Sequence, residues 1–172
     1  MAYINKIVVN GAEVNANQLE GILDKNGNAR FIEGAVTVNS DITTAGLTVD
    51  YNKWSLSGSH LMIVVQLANK TESTIVIPAW TEIGVLANLP SWIKDKIYPL
   101  GADDPTDLGN VLIKDVKGYG TGLAESNNTL KAYMEKTSDN IKLMSWSTAG
   151  YSNNYESGKY YRIQMDLIVD NA

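Results

Sequence analysis

Leu61-Met-Ile-Val-Val-Gln-Leu-Ala68 is the stretch that decides the fold class. It is dense in β-branched and large apolar residues, and turn formers bound it: Ser57-Gly-Ser59 before, Asn69 after. That composition and length describe a strand rather than a buried helix. It is apolar on both faces, which predicts cover on both sides of a central strand. Its apolar run extends only from Leu61 to Val65, far short of the ~20 residues a membrane helix needs.

Outward from this core strand, the remainder is punctuated by Gly, Asn, Asp and Ser clusters at short intervals, the spacing expected of an antiparallel sandwich or barrel. Strands are expected at 35–39, 46–51, 54–57, 61–68, 73–78, 111–119, 129–136, 140–146 and 159–169. The segment 129–136 also suits a helix through Leu130, Tyr133 and Met134. The Ser138-Asp-Asn140 turn before Ile141-Lys-Leu143 favours a hairpin. One short helix is expected over 89–96, with Pro90 in the first helical position and Pro99 and Gly101 closing it.

The 172 residues allow one full domain and a small appendage. With 44% apolar and 19% charged residues, the chain has the composition of a soluble globular protein. Its 17 Asn and 14 Gly favour turns over helix interiors. Two N-terminal hairpins are expected. Lys6-Ile-Val-Val9 and Ala12-Glu-Val14 flank Asn10-Gly11, the strongest short-range hairpin signal. Ile22-Leu23 and Ala29-Arg-Phe-Ile32 flank a turn over 24–28. Between them, 14–23 is either one poor helical turn or a linker. The expected organisation is therefore an attachment or linker module over 1–34 and a β-sandwich head over 35–172.

Several function classes lose support at this level. The net charge is −5 and the only arginines are Arg30 and Arg162, so no basic field is available for nucleic acid. The absence of cysteine removes disulfides, thiolate zinc sites and thiol nucleophiles. Met1-Ala-Tyr-Ile-Asn-Lys6 lacks the pattern of a secretory signal, so synthesis in a reducing cytoplasm is expected.

Catalytic signals are equally sparse. His60 is the single histidine; beside Ser57 and Ser59 it permits a Ser/His/Asp arrangement, but reads best as a turn residue at a strand start. Asp24-Lys-Asn-Gly-Asn28 places its glycine too early for a calcium loop, and Ala35 stands where the bidentate glutamate belongs. Asp103, Asp104 and Asp107 form an acidic loop that is ordinarily just solvated. Gly118-Tyr-Gly-Thr-Gly122 lacks the Lys-Ser/Thr of a phosphate loop. Glu82 and Asp166 are one acidic pair among many that a glycan hydrolase would need at ~5 to 9.5 Å. No catalytic residue, metal or cofactor is therefore expected.

The segment from Trp146 to Tyr161 concentrates Tyr and Trp among Ser, Asn and Gly, the palette of adaptable binding loops. A sugar presents hydroxyls around an apolar ring face, so the palette suits glycans. The expected binding residues are Trp146, Tyr151, Asn153, Asn154, Tyr155 and Tyr160. The competing account folds these rings back onto the sandwich edge. Trp54, Trp80 and Trp92 read as core or subunit-interface residues.

Ile4-Asn-Lys-Ile-Val-Val-Asn-Gly11 resembles the short modules that begin or link tail-fibre and baseplate proteins of phages infecting Gram-positive bacteria. Lys53–Val65, Asn88–Pro99 and Arg162–Asp170 are similar to the distal head domains of such proteins. The resemblance implies a jelly-roll or TNF-like head, a homotrimer, and a place in the virion's tail or baseplate. It also implies binding to a host-surface saccharide or another baseplate protein, without membrane insertion. The alternatives are a carbohydrate-binding module of a larger bacterial protein and a tail-associated glycan hydrolase.

Overall fold

The computed structural model describes residues 6–9, 12–15, 31–90, 93, 96–97, 106–116, 123–125, 128, 130–134, 141–145 and 152–170; over 6–9, 12–15, 106–107, 109–116 and 123–125 the description is of backbone alone. In chain order the elements are β1 (Lys6–Val9), β2 (Ala12–Asn15), β3 (Phe31–Val38), α1 (Ser40–Thr44), β4 (Leu47–Ser57), β5 (His60–Asn69) and β6 (Ile75–Ile77). They continue as β7 (Glu82–Leu86), β8 (Thr106–Val116), β9 (Leu123–Glu125), β10 (Leu130–Met134), β11 (Ile141–Ser145), β12 (Asn153–Tyr155) and β13 (Tyr160–Ile168). The protein is an antiparallel all-β, sandwich-like fold, as the sequence predicts.

Two strands serve both layers. The first half of β3 pairs with β4, and its second half, Val36–Val38, pairs with β7. β8 likewise pairs with β10 through its first half and with β13 through its second. One layer therefore runs β3-β4-β5-β13-β8-β9 and the other β3-β7-β11-β10-β8, and pairing closes them into a ring through both shared strands. The core strand lies where the sequence puts it, with Leu61, Ile63, Val65 and Leu67 fully buried. Tyr161, Ile163, Met165 and Leu167 of β13 extend that interior. From the opposite layer Ile83, Leu86, Leu130, Ile141 and Leu143 join the same core.

The other face of β5 departs from expectation. Met62 is 42% exposed and Val64 and Gln66 are half-buried, so nothing described in this chain fully covers that side. β4 is one strand where two were expected. Tyr51-Asn-Lys53 does not break it, because the Asn52 side-chain amide donates to the Val36 carbonyl at 2.8 Å and a bulge absorbs Asp50. β3 begins at Phe31, earlier than expected, and Phe31 and Ile32 pair with β4; the rest of the expected second hairpin lies outside the described residues. β1 and β2 form the first hairpin in the expected register, Val9 opposite Ala12; 16–30 lie outside the described residues.

Two glycines make room for the packing. A Cβ on Gly34 would lie 2.5 Å from the indole of Trp54, a buried ring whose Nε1–H donates to the Ala87 carbonyl at 2.9 Å. A Cβ on Gly84 would lie 2.9 Å from the Thr37 carbonyl oxygen of β3. In Glu82–Leu86 that glycine looks like a breaker; in the structure it admits the neighbouring backbone. Helix α1, unexpected from the apolar pattern, is capped by Asn39, whose Oδ1 accepts from the Asp41 N–H at 2.9 Å, and it buries Ile42. Of the expected helix over 89–96, Ile93 is helical and its carbonyl accepts from Lys96 and Ile97; 91–92 and 94–95 lie outside the described residues. No helix among the described residues is long and apolar enough to cross a membrane.

Candidate functional site

β12 carries three of the six expected binding residues, and its alternation sorts them. It pairs with β6, Asn153 opposite Ile77, Asn154 opposite Val76 and Tyr155 opposite Ile75. Asn154 and Val76 point outward and are exposed, whereas Asn153 and Tyr155 are buried. These two side chains therefore offer no surface to a ligand, a correction that follows from the two-residue period of the strand. Tyr155 packs edge-on against Tyr161 with ring centroids 4.8 Å apart. Burial pushes its phenol far above the usual tyrosine range, with Tyr161 adding to the shift. Among the described residues its Oη has no hydrogen-bond partner. Tyr160 is half-buried on the outer side of β13, opposite Ala68. Trp146 and Tyr151 lie outside the described residues, as does most of the acidic stretch with Asp103 and Asp104.

Buried amides set the geometry of this end of the molecule. Asn69 Nδ2 donates to the carbonyls of Ser73 at 2.8 Å and Tyr155 at 2.7 Å, while its Oδ1 accepts from the Thr71 N–H and hydroxyl. Asn128 grips Asn154 from both sides: its Nδ2 donates to the Asn154 carbonyl at 3.0 Å and its Oδ1 accepts from the Asn154 N–H at 2.8 Å. Asn153 Nδ2 donates to Ser145 Oγ at 2.8 Å, tying β12 to β11. Part of the asparagine-rich composition that signals turns is thus spent on bonding irregular backbone inside the protein.

Ser145 also positions Trp80, an exposed aromatic. The Trp80 N–H donates to the Ser145 carbonyl at 2.8 Å, and the Ser145 N–H donates to the Thr81 carbonyl at 2.8 Å. Between these bonds Trp80 adopts φ 64°, a left-handed conformation that costs a bulky residue on the order of 1 kcal/mol. Its side chain is 58% exposed and its ring lies 5.9 Å from that of Tyr133, tilted by 38°. Its exposure places Trp80 outside the core of this chain, whereas Trp54 is a core residue as expected; Trp92 lies outside the described residues. Trp80 thus presents an exposed aromatic face on a strained backbone held by Ser145, the residue whose hydroxyl also accepts from Asn153.

The other chemical candidates are dispersed. His60 Nδ1 lies 3.3 Å from Asp166 Oδ1, both side chains more than half exposed, with Ser57 opposite His60 across the hairpin. Such a surface ion pair is screened by water and salt. Glu82 pairs with Lys142 at 3.5 Å in the opposite layer, so Glu82 and Asp166 do not share a site. Among the described residues no three His, Cys, Asp or Glu side chains gather as metal ligands would.

No protein-family model matches this chain, and no curated protein matches it.

Proposed function

We propose that this chain is a non-enzymatic adhesion module that binds saccharide through the Trp80 edge, as a component of a phage tail or baseplate. The observation that carries the binding reading is Trp80 itself, exposed, held in a strained conformation by two backbone bonds, and backed by Tyr133. An exposed indole on a left-handed backbone is an outlier of the kind found at binding sites. A sugar ring fits because its apolar face stacks on an indole. The phage setting rests on the sequence resemblance. A carbohydrate-binding module of a bacterial protein would use the same chemistry.

The test uses soluble polysaccharide purified from Gram-positive cell walls, titrated against the full chain by calorimetry. The wild type should bind, and Trp80→Gly should bind at least about tenfold more weakly, a loss of roughly 1.4 kcal/mol, while keeping its Tm. Trp80→Tyr should retain part of the affinity. Polysaccharide binding that Trp80→Gly leaves intact, or a wild type that binds none, would sink the proposal.

A further inference from the structure

The outward face of β3, β4, β5 and β13 keeps large apolar side chains in water. Phe31 is 62%, Tyr51 46% and Ile168 64% exposed, in addition to Met62. The strand register arranges the face in four rows. The first holds Phe31, Ser57, His60 and Ile168, and the second Glu33, Ser55, Met62 and Asp166. The third holds Ala35, Lys53, Val64 and Gln164, and the fourth Tyr51, Gln66 and Arg162. Both acids thus share the second row, and both strong bases stand in the rows beyond it. Arg162 contacts Gln66 at 3.4 Å, and Asp166 contacts His60 within the chain.

We propose that this face is covered by a second copy of the same chain, laid face to face and turned end for end. The two-fold axis lies in the interface and runs across the strands. With the axis passing through the third row, it sets Asp166 over the second copy's Arg162 and Met62 over its Gln66; Val64 and Lys53 of the two copies meet at the axis, where each Lys53 has Glu33 of the other copy one strand and one row away. Phe31 of each copy approaches Tyr51 of the other. A two-fold axis along the strands would instead oppose Glu33 to Asp166, like charge to like. A three-fold contact is heterologous and does not lay this face on itself, so the charge pattern favours a pair over the homotrimer expected from the sequence.

Four strands about 4.8 Å apart and four outward rows about 6.8 Å apart cover roughly 500 Å² per copy. Standard stable interfaces bury about 800 Å² per partner, so the pair should form in the micromolar range. This inference does not depend on saccharide binding at Trp80, which lies outside these rows.

Sedimentation velocity on the full chain between about 1 and 200 μM tests the pair, a range chosen to bracket micromolar association. The wild type should pass from monomer to dimer, more weakly at high salt because the facing charges are screened. Asp166→Arg and Arg162→Asp should each weaken association at least about tenfold, since each opposes like charges across the axis. The double variant carrying both changes should regain dimerisation to within about threefold, because the swap restores complementarity; rescue of this kind is not expected of a residue that only supports the monomer fold. Met62→Asp, one row from the axis, should weaken the pair as well. Thermal unfolding verifies that each variant is folded. A wild type that stays monomeric, a trimer, a double variant as weak as the singles, or a dimer indifferent to all of these changes would each overturn the proposal.

Discussion

The closed ring and the small β6/β12 sheet are held together by different chemistry. In the ring, period-two alternation buries one apolar row per strand, and two glycines let bulky neighbours approach. In the β6/β12 region the joints are amides: Asn69, Asn128 and Asn153 each satisfy backbone or hydroxyl groups that no ladder reaches. Apolar packing is non-directional and tolerates small shifts. A buried amide is directional and, once broken, leaves its partners unpaired. The difference teaches that the ring supplies stability, while the amide-stitched end supplies fixed backbone geometry, where an exposed tryptophan is displayed.

The largest effect is expected at the ring. Gly34→Ala should cost about 3 kcal/mol, because its Cβ meets the indole of Trp54 and that ring is bonded and buried. The clash should shrink when Trp54→Leu is already present, and a double-mutant cycle by urea unfolding reads that coupling. Additive costs would mean that the glycine is not there for the indole. Next, Asn69→Ala should cost about 2 kcal/mol by leaving the Ser73 and Tyr155 carbonyls unpaired. Asn69→Asp should be no better, since a carboxylate donates to neither carbonyl. If both variants melt with the wild type, the amide account of this end is wrong.

Smaller effects sharpen the contrast. Trp80→Gly should change stability by less than about 1 kcal/mol, with relief of the left-handed strain offsetting lost contact with Tyr133. A loss of several kcal/mol would make Trp80 a structural residue. Smallest of all, Tyr155→Phe should be neutral or stabilising by up to about 1 kcal/mol, because the hydroxyl it removes is buried without a partner among the described residues. Chemical denaturation suffices to measure it, and a marked destabilisation would reveal a bond to Oη.

The ring was far more legible in the sequence than the site. Leu61–Ala68 is a bounded apolar run and 140–146 and 159–169 alternate, and all three strands lie within two residues of expectation. Glu82–Leu86 was hidden because Gly84 reads as a breaker until its neighbour in space is known. Helix α1 had a usable signal in Asn39-Ser-Asp41, a cap followed by an acid in the first turn, but too few apolar residues to mark a period. At the candidate site, composition located an aromatic, asparagine-rich neighbourhood without telling inside from outside. Tyr155 and Asn153 are interior because β12 pairs with β6, a non-local event. Trp80 reads as a core or subunit-interface residue, and nothing local marks the positive φ that keeps it out of the core of this chain. A tyrosine-rich segment is as good at packing as at binding, and only the pairing partner decides.

The place of β13 in the ring has a consequence for how the chain comes to be folded. Among the described strands, the last in chain order, β13, lies between β5 and β8. A growing chain can assemble the β3-β4-β5 meander early, since those contacts are local. It must then hold the buried row of β5 and the inner side of β8 incomplete until Tyr160–Ile168 has left the ribosome. Such late, long-range closure slows folding and leaves an unpaired apolar edge exposed while it waits. Intermediates of this protein should therefore be most prone to self-association just before β13 docks, so a nascent chain stalled ahead of residue 160 is the species that most needs a chaperone.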